Sequence, residues 1–332
     1  MQARKDVLRV LVFACLSVGF PAPANAHPTI YWTDIGTSKV QRLNDDVGLG
    51  IEDLVTTQTI EPVDVALDLG NGKLYWTEAS LADFMISRAN LDGTNVELLV
   101  KHLISPSGIE LDVSAGKMYW TDVGTGKIQR ANLDGTNVED LVTVPGTTPV
   151  DIALDLSRGK MYWTEASPAD FMILRANLDG SSPEGLVVST GTSPSGIAVD
   201  SVAGKIYWAD RGAHKIQRAN LDGSQVEDVV TTGLKDPVRI ALDISAGQIY
   251  WTEASPADFM IFRANLDGTN VELQLQIAGL TSPSGIALDA PAGPAVPATN
   301  TGGIVVMVIA LVTAGAWTFR RFSRNNLWQA TE

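Results

Sequence analysis

Between His27 and Ala290 the chain is a succession of short β-type runs, separated by Gly, Asp, Asn and Ser. No stretch there carries the apolar period of an amphipathic helix. Residues 105–143 show the order: SPSGIELD, VSAGK, MYWTD, VGTG, KIQRANL, DGTN and VEDLVT. That is four strands per unit. The Asp-Gly that follows each Ala-Asn-Leu is a hairpin signal, because it supplies the positive φ angles of a tight turn.

The unit recurs. Tyr-Trp stands at 31, 75, 119, 162, 207 and 250, at spacings of 43 to 45 residues, and takes up all six tyrosines. Six units fill residues 27–290 and leave no room for a second domain. Four strands at this period predict an all-β fold, a six-bladed β-propeller of four-stranded blades, and exclude helical and leucine-rich solenoids. A sixfold aromatic pair is expected to be core between blades. The recurrent Arg42, Arg88, Arg130, Arg175, Arg218 and Arg263 are expected to be structural ion-pair partners.

YWTD at 31–34 and 119–122, and YWAD at 207–210, resemble the signature of the YWTD repeat, the class B repeat of the low-density-lipoprotein receptor family. The frame resembles it too, with P-x-G-I-x-x-D before the motif and I-x-R-A-N-L-D-G after it. The resemblance covers 27–290. It implies a six-bladed propeller that binds proteins through one face. Three copies depart from it with YWTE, at Glu78, Glu165 and Glu253, and the first copy lacks the A-N-L-D-G turn.

The copies alternate. One, three and five carry a short link from Tyr-Trp to the K-[IV]-Q-R strand; two, four and six carry A-S-x-A-D-F-M, two residues longer. Short-link copies follow P-S-G-I and long-link copies follow P-V-[DR]-[VI]. Pro283–Asp289 is a P-S-G-I strand with no Tyr-Trp after it, and Tyr31 is a short-link copy with no such strand before it. The C-terminal strand is therefore expected to pair with the N-terminal blade and close the ring, which hides two sheet edges. Three long loops then share one rim with pseudo-threefold symmetry. Glu78, Asp83 and Phe84, Glu165, Asp170 and Phe171, and Glu253, Asp258 and Phe259 are the candidate partner-binding residues, since acids beside exposed aromatics suit protein recognition. At the axis, Asp64, Asp151 and Arg239 alternate with Ser107, Ser195 and Ser284. Two aspartates there could hold calcium, but Arg239 opposes a cation, so no metal and no cofactor is expected.

Charge narrows the partners. The chain carries 38 acids against 24 Lys and Arg, a net −14. Asp6, Glu332 and six of the bases lie at the ends, so residues 27–301 carry 36 acids against 18 bases. Such a body repels phosphate backbones and excludes nucleic acid, and it favours a protein or peptide ligand with basic residues. With one cysteine and three scattered histidines, zinc and thiolate chemistry are excluded as well.

The ends are expected to be addresses. Residues 1–26 combine a basic start, an apolar run from Val10 to Phe20 and Ala24-Asn25-Ala26, the pattern of a cleaved signal peptide. Residues 291–301 read as a Pro/Ala/Thr linker and 302–319 as a transmembrane helix; Arg320, Arg321 and Arg324 make 320–332 a basic cytoplasmic tail. The order V-P-A-T-N-T-G-G, apolar helix, Arg-Arg resembles C-terminal sorting and anchoring signals of bacterial surface proteins. The expected product is an exported, monomeric propeller held at the cell surface or on the periplasmic side of a membrane. Three functions stay open: a non-enzymatic binding module, a propeller hydrolase or lyase with a central polar site, and a passive envelope component. The first is favoured, because catalysis needs unique polar residues near the axis and the repeats read as nearly uniform.

Overall fold

Each repeat folds as an antiparallel sheet of four strands, and six such sheets stand around a common axis. The computed structural model describes residues 28–44, 50–56, 61–79, 83–143, 146–166, 171–189, 193–254, 258–278 and 282–290. The expected signal, linker, membrane-helix and tail segments lie outside them. Among the described residues no helix is long and apolar enough to cross a membrane.

The innermost strands are Pro283–Asp289, Glu61–Asp68, Pro106–Asp112, Pro149–Asp155, Pro194–Asp200 and Pro237–Asp243, for blades one to six. Blade one is completed by the far end of the chain: Ile30 pairs with Leu288, Tyr31 with Ala287 and Trp32 with Ile286. Ile35 N adds a bond to Ser282 O at 3.1 Å. The closure read from the alternation is the one observed.

Adjacent residues of a strand face opposite sides, which explains the Tyr-Trp pair. Tyr turns toward the next blade and Trp toward the previous one. Tyr75 thus shares a core with Trp120, Tyr119 with Trp163, Tyr162 with Trp208, Tyr207 with Trp251 and Tyr250 with Trp32. All twelve rings are at most 3% exposed.

The arginines of the third strands fasten the outer edges. Arg130 pairs with Glu139, lies over the Tyr119 ring at 5.7 Å and donates to Leu178 O of the next blade at 3.1 Å. Arg42, Arg88, Arg175 and Arg218 reach the carbonyls of Leu91, Leu133, Leu221 and Leu266 in the same way. The Asp-Gly turns are equally close to their neighbours. Gly135 has φ 83°, and a Cβ there would stand 2.5 Å from Leu99 O of the preceding blade.

Register gives the ring two unlike faces. Pro62 opposes Glu78 and Asp68 opposes Lys73, so the inner strand starts beside the loop between second and third strands. That end is the loop face. The other, made by the turns after the first and third strands, is the hairpin face.

Candidate functional site

The loop face is organised by the acid that ends each Tyr-Trp motif. In blade three, Asp122 accepts from the amides of Ile104, Ser105 and Thr125, which ties down the loop arriving from blade two. In blade six, Glu253 accepts from Lys235 N and Asp236 N, both at 2.9 Å. The longer side chain does the same work from the same position.

Glu78, Glu165 and Glu253 are 1%, 3% and 0% exposed, so the structure withdraws all three from the partner-binding surface expected of them. In blades two and four the buried indoles draw the carboxyl inward, and in blade six the Lys235 and Asp236 amides hold it. In short-link blades Trp32 and Trp120 donate to Gln41 and Gln129. Long-link blades have Ser87, Leu174 and Phe262 instead of that glutamine. Trp163 Nε1 donates to Glu165 at 3.2 Å in its place. Burial pushes the Glu78 and Glu165 carboxyls up, and bonds from Trp76 and Trp163 partly offset it.

The outer rim holds Asp83 and Phe84. Asp83 is 41% exposed at its side chain and lies 3.2 Å from His102 Nδ1, while Phe84 beside it is half-buried. Phe171, Asp258 and Phe259 lie on described strands, with their side chains outside the described set, and Asp170 lies outside it altogether.

The axis is the second polar site. The glycine of each P-S-G-I strand lets the next blade come close. A Cβ on Gly285 would be 2.6 Å from Asp64 Cα, one on Gly196 2.6 Å from Arg239 Cα, and one on Gly108 2.4 Å from Asp151 Oδ1. This is the physical content of the alternation. Asp64 then accepts from Ile109 N at 3.1 Å and Asp151 from Ile197 N at 2.8 Å, each stitching its blade to the following one. Arg239 cannot accept a bond, so it leaves this pattern and reaches across the axis. Its Nη2 donates to Ser107 Oγ at 2.9 Å and to Val150 O at 3.3 Å. Its Nε lies 3.7 Å from Asp64 and 3.8 Å from Asp151. The guanidinium sits where a cation shared by the two aspartates would have to be. Burial pushes both carboxyls up, with Arg239 opposing; Asp64 is raised further by repulsion from Asp151. Among the described residues no group of three or more His, Cys, Asp or Glu is placed to hold a metal.

Glu110 shares this chamber and was not singled out in the sequence. The signal was available: the equivalent residues of the other inner strands are Ala66, Ala153, Ala198, Ala241 and Ala287. Below the Arg239 cluster the channel widens to a cavity of about 340 Å³, lined by these inner strands and by Glu110. Burial pushes the Glu110 carboxyl up to about 7, against one bond from Leu111 N at 3.2 Å.

Comparison with known proteins fits this geometry. The pattern of the low-density lipoprotein receptor repeat class B matches residues 72–112, 116–156, 159–201, 204–244 and 247–290. The chain belongs to that family. Nidogen-2 of Mus musculus is 34% identical over 65 residues, 20% of this chain and 4% of that protein. The chain thus matches only a small part of that relative's length. Among solved structures, the nidogen/laminin complex gives a TM-score of 0.69 at 22% identity, covering 80% of this chain and 100% of the compared one. TolB from Acinetobacter baumannii gives 0.63 at 13% identity, covering 82% and 69%. At these identities the structural likeness speaks for the fold.

Proposed function

We propose that this class B repeat propeller is a non-enzymatic binding module. It is exported without residues 1–26, displayed through residues 302–319, and recognises a basic protein or peptide at its loop face. The observation that carries the reading is the division of labour among the repeated polar groups. The Arg, the Thr and the motif acids are consumed in fastening blades, whereas the repeated Asp-Phe of the long links takes no part in the blade-to-blade bonds seen among the described residues. Asp83 and Phe84 represent them among the described side chains. Family membership supports the reading, and so does the likeness to a nidogen propeller solved with laminin. The three buried glutamates are set aside, so the proposed contact set is Asp83, Phe84, Asp170, Phe171, Asp258 and Phe259. The test is capture of surface and secreted proteins of the same cells on the full chain. A chain with Asp83, Asp170 and Asp258 all changed to Asn serves as control. A partner retained by the wild type and lost by the control supports the loop face; equal retention refutes it.

A further inference from the structure

The hairpin face presents a second constellation, independent of the loop-face reading. The channel opens there between the turns that follow the inner strands. Those turns carry Leu69, Val113, Leu156, Val202 and Ile244, aliphatic side chains 38–88% exposed, and Ile244 also lines the cavity. Five apolar tips thus stand around one mouth. Inside, charge is unbalanced: Arg239 lies between Asp64 and Asp151, and Glu110 has no cation beside it among the described residues. Five of six equivalent positions are alanine, so the fold does not require a carboxyl there. The cavity of about 340 Å³ has room for one long side chain.

We propose that the hairpin-face mouth of the axial channel is a binding site for a Lys or Arg side chain presented by a partner protein, with Glu110 as its counter-ion and the aliphatic collar packed around the flanking residues. Charge complementarity selects this occupant. An anion would face a surplus of carboxylates, and a purely apolar plug would leave a buried carboxylate unpaired, which is costly.

Two capped peptides serve as probes against the full chain: acetyl-Ala-Leu-Lys-Leu-Ala-amide, and the same peptide with norleucine for lysine. The lysine peptide binds saturably. The norleucine peptide binds about tenfold or more weakly, the loss expected for a charge-assisted contact in a sheltered site. Glu110→Ala, which installs the residue of the other five repeats, costs a similar factor without lowering the melting temperature. Leu156→Ser weakens binding several-fold through the collar. Affinity rises between pH 6 and 8, as Glu110 ionises beside Asp64, Asp151 and Arg239. Asp83→Asn, on the opposite face, leaves the affinity unchanged, so failure at the loop face and failure here are separate results. Equal affinity of both peptides, or of wild type and Glu110→Ala, overturns the proposal. So does binding that appears only after removal of residues 291–332, which would assign the collar to the chain's own tail. Dimerisation abolished by Leu156→Asp would assign it to a second copy and overturn the proposal too.

Discussion

Replacing Ala209 by Thr should stabilise the propeller, and replacing Thr121 by Ala should destabilise it by more. In five blades the Thr of the motif is a stitch at the axis. Thr121 Oγ1 accepts from Gly108 N at 2.8 Å in its own blade and donates to Val150 O of the next blade at 3.1 Å. Thr33 does the same between Gly285 N and Val63 O, at 2.7 and 2.9 Å. Thr77, Thr164 and Thr252 donate to Ser107, Ser195 and Ser284 across their junctions. Blade five reads YWAD, and Ala209, 0% exposed, contributes no hydroxyl to the junction with blade six. Installing Thr there offers Gly196 N an acceptor and Val238 O a donor. Each such bond is worth about 0.5–1.5 kcal/mol net, so a gain of about 1–2 kcal/mol follows after the cost of fixing the side chain. In a domain of this size that raises the melting temperature by about 2–5 °C. Thr121→Ala leaves two buried backbone groups without their partner and a methyl-sized void, and costs about 2–4 kcal/mol. The two junctions are separate, so the effects should add within about 0.5 kcal/mol. Calorimetry and denaturant titration of both single variants and the double variant measure all three numbers. An Ala209→Thr protein that melts at or below wild type would show that blade five is packed around the alanine, and would refute the stitch as a transferable element.

Three other outcomes are expected. Ending the chain before Ser282 removes the inner strand of blade one and exposes edges on Thr29–Asp34 and at the axis, so the truncated domain should melt well below the intact one; equal melting would disprove closure by that strand. The Glu110 carboxyl, raised to about 7 by burial, ionises less readily in the folded than in the unfolded chain. Its contribution is therefore fully present below the unfolded value near 4.3 and is lost as pH rises through 7. Glu110→Ala should gain on wild type by up to about 3 kcal/mol between pH 4 and 8, read by denaturant titration at both pH values, and a pH-independent difference would contradict the burial. At the loop face, replacing Asp83, Asp170 and Asp258 by Asn should slow association with a basic partner more than it speeds dissociation. The effect should shrink with added salt, since the Debye length is only about 8 Å at physiological ionic strength; biosensor kinetics at two salt concentrations decide it.

Much of this protein is legible without coordinates, because the fold is written six times. A period of 43 to 45 residues, four strands in each unit and an Asp-Gly turn in five of them leave one architecture. The alternation of P-S-G-I with P-V-[DR]-[VI] even locates the closing strand, since one strand type is missing at one end and spare at the other. The burial of Tyr-Trp follows from repetition too: an aromatic pair kept in every blade serves what every blade shares. Repetition does not say which way a polar side chain turns. Glu78 and Asp83 lie five residues apart in one loop-bearing segment, and both read as rim acids. Only the tertiary structure separates them, because Ser87 and the Trp76 indole, which faces Ser87 instead of a glutamine, bond Glu78 in the interior, while Asp83 meets His102 at the surface. Nor does a single departure from the repeat declare its meaning. Arg239 and Glu110 stand far apart in sequence, in different blades; the first is the odd residue among three long-link strands and the second among six inner strands. Closing the ring brings both to the axis, where they line one pocket with Asp64 and Asp151 and a reduced local dielectric couples their charges.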